Sequence, residues 1–107
     1  MGLEITVNSD PIRQLADTLS PDVQRILEEV AEFIKERARQ LAPVLTGQLR
    51  DSIDVLVQEW GFLVVAGAEY AQFVEFGKIN TAAHPFLTPA IQEGAALLER
   101  RLRELLS

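Results

Sequence analysis

Hydrophobic and polar residues alternate at the start of the chain, where Leu3, Ile5 and Val7 interleave with Glu4, Thr6 and Asn8. A period of two predicts a short half-buried strand over about 3–8. The period then lengthens. Asp10-Pro11 supplies a cap and first-turn pair, and Ile12, Leu15, Ala16 and Leu19 follow at i, i+3, i+4 and i+7, which predicts a short amphipathic helix. Ser20-Pro21 repeats the start signal and opens a longer helix. Its apolar stripe runs through Val23, Ile26, Leu27, Val30, Phe33, Ile34, Ala38 and Leu41 and stops before Pro43. The opposite face carries Glu28, Glu29, Glu32, Lys35, Glu36, Arg37 and Arg39, acidic first and basic last, an order that complements the helix dipole. Such a strip can dock a partner, but a solvated face is the expectation.

Beyond Thr46-Gly47 the pattern predicts a β-hairpin, with one strand over 53–58, a Glu59-Trp60-Gly61 connection and a second strand over 62–66. Ile53, Val55 and Val57 share one face of the first strand and Leu56 points to the other, while in the second strand Phe62 and Val64 oppose Leu63 and Val65, so both faces of the hairpin are partly apolar. Two strands are marginal alone, and this second face calls for cover from a neighbouring element or another subunit. Residues 69–76 then form a short helix or irregular segment in which Tyr70, Phe73, Val74 and Phe76 cluster before Gly77. Acidic Glu69 and Glu75 lie among these aromatics, which argues against base stacking and for packing or an oligomer contact. A loop containing Lys78, Ile79 and His84 follows. Pro85 and Pro89 mark the entry to a last helix, in which Phe86, Leu87, Ala90, Ile91, Leu97, Leu98, Leu102 and Leu105 keep helical spacing. Gly94 in its middle is expected where a neighbour packs closely.

These elements define an α+β protein of two long amphipathic helices packed on a small antiparallel sheet, a hairpin plus the N-terminal strand, with short helices. At 107 residues the chain is expected to be one domain, residues 1–107. The absence of cysteine excludes a disulfide framework, a thiol nucleophile and a thiolate zinc site, and one histidine excludes a histidine-rich metal cluster within a chain. The net charge of −6 is spread evenly: six basic and nine acidic residues lie in 1–53, four and seven in 54–107. No basic arm stands ready to grip a phosphate backbone. No apolar run spans a membrane and no signal peptide opens the chain, so synthesis in the cytoplasm and no membrane contact are expected. Glu69 with Glu75, as an acid/base pair, and Glu75 with His84 are the pairings that suggest hydrolytic chemistry, and neither spacing matches a catalytic pattern. The glycines form neither a P-loop nor a dinucleotide fingerprint. No catalytic residue, cofactor or metal is expected.

Ala38 to Ile53, a helix ending in Ala42-Pro43 and then Thr46-Gly47-Gln48-Leu49-Arg50-Asp51-Ser52-Ile53, resembles a signature of tailed-phage structural proteins. Tyr70 to Gly77 and Pro85-Phe86-Leu87-Thr88-Pro89-Ala90 resemble the second and third blocks of the same family, in the same order. The family is the tail-component and neck family typified by gene product ten of phage HK-ninety-seven, and the resemblance spans about residues 21–106. Its second block usually continues Phe-Gly-Thr, where this chain has Phe76-Gly77-Lys78.

The resemblance implies a non-catalytic protomer of a ring, a hexamer if it matches a tail, at the head-tail junction of the virion. Other neck and tail proteins are the implied partners, with DNA only as passing channel content. Interface candidates are Thr46, Gly47, Leu49 and Arg50 in the first block and Leu56, Leu63 and Val65 on the hairpin. Tyr70, Phe73, Glu75, Phe76, Gly77, Lys78, Ile79 and Phe86 complete the set. From the residues alone, Thr46 can cap a turn, Gly47 permits a backbone angle closed to other residues, and Leu49 and Ile53 point to the core. Arg50 serves either an intersubunit salt bridge or an ordinary surface. The rival expectation is a dimeric adaptor or antitoxin-like module paired through the two long helices.

Overall fold

A computed structural model describes residues 2–8, 21–43, 47–58, 61–80 and 82–106. The predicted short helix over 12–19, Thr46 and the Glu59-Trp60 connection lie outside the described residues. The elements, in order, are strand β1 (Leu3–Asn8), helix α1 (Pro21–Leu41), the short helix α2 (Gln48–Asp51), strands β2 (Ile53–Gln58) and β3 (Gly61–Ala66), the short helix α3 (Ala71–Phe76) and helix α4 (Leu87–Leu106).

β3 is the central strand of an antiparallel sheet of order β1-β3-β2. The registers stack the period-two pattern into rows that cross all three strands. Leu3, Ala66 and Ile53 form one row, Ile5, Val64 and Val55 the next, and Val7, Phe62 and Val57 the third. A slip of one residue in either edge strand would turn these rows to solvent, so the burial of Phe62, Val64, Ala66 and Ile53 fixes the register.

Helix α1 lies against β2 and, along its length, against α4. Its stripe is buried at Val23, Leu27, Val30, Ala31, Ile34 and Ala38. The stripe of α4 is buried at Leu87, Ala90, Leu98 and Leu102, with Phe86 just before it. Each fully buried Leu, Ile, Val or Phe contributes roughly 1.5–3 kcal/mol over its exposed state, which outweighs the weak helix propensity of β-branched Val30 and Ile34. The helix ends where predicted: the Ala42 N–H reaches the Ala38 carbonyl at 2.9 Å, and Pro43 has no N–H to continue.

Gly94 is buried at the crossing of α1 and α4. A Cβ placed there would lie 2.3 Å from Cγ1 of Ile34 and 2.7 Å from its Cδ1, so the two backbones come as close as they do because this position has no side chain. The close packing expected at Gly94 is therefore between the two long helices of one chain. The rival use of those helices, as a dimerisation pair, is opposed by the same observation, since each covers the other's stripe.

The charged flank of α1 departs from the expectation of a merely solvated face. Arg37 Nε donates to Glu93 of α4 at 2.9 Å, Arg101 of α4 meets Glu29 at 2.7 Å, and Lys35 lies 3.7 Å from Asp54 of β2. Sequence spacing shows which charges share a helix face, but not that another element runs alongside it. Both helix-to-helix pairs remain about two-fifths exposed, so water and salt weaken them. Glu93→Gln and Glu29→Gln should each cost less than about 1 kcal/mol, an effect that shrinks further in high salt. Urea denaturation at low and high salt measures both.

Candidate assembly surfaces

Two parts of the surface combine apolar side chains with exposure. The first is built on α3. Ala68 and Ala71 are buried and anchor the segment to the core, while Phe73 and Phe76 face outward at 40% and 64% exposure. Gly77 ends the helix at φ 76 and ψ −179, a backbone conformation that essentially only glycine adopts. Lys78 then folds back with its ammonium 4.7 Å from the centroid of the Phe73 ring. Ile79 stands at the tip, 99% exposed. The chain returns at His84, whose backbone N–H donates to the Val74 carbonyl at 2.7 Å. Residues 73–79 thus form a knob on a loop whose two ends are tied together.

The main tie is Glu75. The residue is 2% exposed, and its carboxylate accepts three backbone hydrogen bonds from the start of α4. Oε1 receives the N–H groups of Phe86 at 3.0 Å and Leu87 at 2.8 Å, and Oε2 that of Thr88 at 3.0 Å. A helix leaves its first four N–H groups without intrahelical acceptors. Here Glu75 takes three of them, and the fourth position is Pro89, which has none. Burial alone would raise the carboxyl pKa. The hydrogen bonds from the Thr88 side chain and from the Leu87, Phe86 and Thr88 backbone outweigh it and hold the pKa below its ordinary value of 4.5. The positive end of the α4 dipole acts in the same direction.

The second surface is the sheet face turned away from α1. Its middle row is Thr6, Leu63 and Leu56, and the next is Glu4, Val65 and Asp54. Leu56 is 48% exposed, and Leu63 and Val65 are half-buried. No described element of the protomer covers Leu56.

The first sequence block lies elsewhere. Gly47 adopts φ 80 and ψ −13 at the start of α2, the left-handed angle expected of it. Leu49 is buried in the core, Ser52 Oγ donates to the Leu49 carbonyl at 2.7 Å, and the Ser52 carbonyl receives the Gly67 N–H at 3.1 Å. Arg50 is exposed and lies 3.7 Å from its neighbour Asp51. With Glu36, Arg39 and Gln40 these two line an open cleft in which two cations face two carboxylates and no apolar anchor is present.

The structure therefore divides the predicted interface residues. It brings Phe73, Phe76, Lys78 and Ile79 together in the knob, around Gly77, with Tyr70 half-buried at the root of α3. It brings Leu56, Leu63 and Val65 together on the open sheet face. Leu49, Glu75 and Phe86 are placed inside the protomer, where a partner cannot reach them, because each completes the packing or capping of its own chain. The Glu75 carboxylate that a hydrolytic pairing with His84 would use is buried and accepts three backbone N–H groups. The capping role of Glu75 was missed. One signal existed: Phe86 stands where α4 needs a capping side chain and has none to offer.

Among the described residues no group of three or more His, Cys, Asp or Glu side chains is placed to hold a metal ion, and no helix is long and apolar enough to cross a membrane.

A helix pair on a three-stranded antiparallel sheet, with an exposed apolar knob and a partly apolar second sheet face, defines a small α+β protein. A family profile described as "Bacteriophage HK97-gp10, putative tail-component" matches residues 10–77, more than half of the chain. The chain belongs to this HK97-gp10-like family of phage tail components. The match takes in the first two sequence blocks and Glu75 and ends at Gly77, so the third block, at Pro85 to Ala90, lies beyond it. Searches of curated proteins and of solved structures return no match.

Proposed function

We propose that the protein is a structural component of the head-tail junction, a neck or tail completion protein that assembles into a ring joining the capsid connector to the tail. The observation that carries this is the knob of Phe73, Phe76 and Ile79 on a chain that belongs to a family of phage tail components. A tethered loop that holds an isoleucine wholly in water forgoes the favourable burial of that apolar surface unless a partner covers it, and monomeric proteins seldom keep large contiguous apolar patches exposed. The role is structural rather than catalytic, and the protein resides in the virion. A sixfold ring would match the symmetry of a tail. The partners are further copies of the chain and neighbouring neck and tail proteins. The even charge of −6 suits a channel through which DNA passes without adhering.

Deleting the gene from the phage genome that carries it tests this directly. Electron microscopy should show filled heads and finished tails that remain separate, and purified protein added to the lysate should restore joined particles. Normal virions from the deletion would refute the proposal, and native mass spectrometry gives the subunit number of any ring.

A further inference from the structure

The knob and the open sheet face differ in charge as well as in shape. Two copies of a chain at −6 repel each other unless opposite charges meet where they touch. Lys78 is the single Lys or Arg between Arg50 and Arg100, and it sits in the knob against Phe73. The three strands contain no Lys or Arg at all. The charged residues of the open face are Glu4 and Asp54, which flank Val65 in register. Among the described residues Glu4 has no ion-pair partner, and Asp54 keeps 57% of its side chain exposed beside Lys35.

The geometry points to a head-to-tail contact between copies, in which the knob of one protomer seats on the open sheet face of the next. Phe76 and Ile79 cover Leu56, Leu63 and Val65, and Lys78 meets Glu4. This rests on the proposed ring and names the surfaces that build it. The occupant is a second copy because the sequence itself holds both halves of the match: a lone cation on an apolar projection, and an apolar face whose own charged residues, Glu4 and Asp54, are both carboxylates. Knob and face are different surfaces, so the contact is heterologous. Each copy uses its knob once and its face once, and repetition closes into a ring when the rotation between copies allows.

The chain has no cysteine, so introduced thiols report on this contact without background. Ile79→Cys and Leu56→Cys, both at exposed positions, are purified separately and oxidised alone and mixed. The mixture should give a disulfide-linked dimer that neither variant gives alone, and a chain with both substitutions should give a reducible ladder. Lys78→Glu and Glu4→Lys should each weaken self-association by about tenfold, and their combination should restore most of it.

The contact is overturned by dimers in the single variants with no gain on mixing, by charge reversals that add instead of compensating, or by a protein monomeric at its highest soluble concentration. A ring that forms without the 79–56 link also overturns it while leaving the ring standing. The joining phenotype of the gene deletion is read independently of all these.

Discussion

Glu75→Ala should lower the stability of the protein by about 3–5 kcal/mol, because it strands the N–H groups of buried Phe86 and Leu87 and removes a charged acceptor from Thr88. For a domain of this size that corresponds to a fall in Tm of roughly 15–30 °C. Glu75→Gln keeps an acceptor oxygen but turns an amide toward a backbone donor, and should cost about 2–3 kcal/mol. The pH dependence has a definite sign. The folded-state pKa lies below the ordinary value of 4.5, so the ionised carboxylate contributes its full stabilisation above about pH 4.5. That contribution is lost as the pH falls through the depressed folded value. Urea denaturation of the native protein and of Glu75→Gln should therefore give a wide gap at pH 7 that narrows in acid. A gap that stays constant below pH 4.5 would show that the ionised carboxylate does not hold the start of α4.

Gly94→Ala should destabilise the protein although alanine favours a helix interior over glycine by about 1 kcal/mol. The added methyl meets Ile34 at 2.3 Å from Cγ1, and Ile34 is 1% exposed and β-branched within a helix, so it has little freedom to turn away. An overpacking cost of about 1–3 kcal/mol follows, with more for Gly94→Leu. The decisive measurement is the double substitution. Ile34→Ala alone should cost about 2–5 kcal/mol through the cavity that it leaves. In that background Gly94→Ala should become stabilising, because the clash is gone and the helix preference remains. Equilibrium unfolding of the four proteins reads this reversal as a coupling between the two positions. Additive effects would mean that α1 and α4 do not cross at Gly94.

Much of the architecture was legible because periodicity reports burial. Leu3, Ile5 and Val7 lie inward as their alternation requires, and the stripe of α1 is buried at Val23, Leu27, Val30, Ile34 and Ala38. Gly94 could be recognised as a contact because little else justifies glycine within a helix. The interface was less legible, since a single large side chain beside a loop lacks a period. Leu49 and Phe86 sit next to loops like Phe76 and Ile79, yet the first pair fills the core and the second faces water. Glu75 was hardest to read. Its partners are backbone N–H groups at residues 86–88, which every residue but proline possesses, so the missing cap at Phe86 shows that α4 needs an acceptor but not that a carboxylate eleven positions away supplies it. The charge pairs of α1 were hidden for a related reason, as Glu93 and Arg101 become its neighbours only when α4 folds back along it.

The attachment of Glu75 to α4 has a mechanical consequence. The knob joins the rest of the molecule on two sides: through the chain from β3 by way of residues 67–70, and toward α4 through the chain itself, the His84–Val74 backbone hydrogen bond and the Glu75 carboxylate. α4 is packed along α1, and α1 lies on β2, which is paired with β3. The routes meet again in the sheet and close a circuit. A pull on Ile79 is therefore shared between the sheet and the helix pair instead of turning the knob about a single tether. Without the carboxylate the side toward α4 would rest on the chain itself and the His84–Val74 hydrogen bond, and the knob would yield under load at the start of α4 rather than at the surface that bears it.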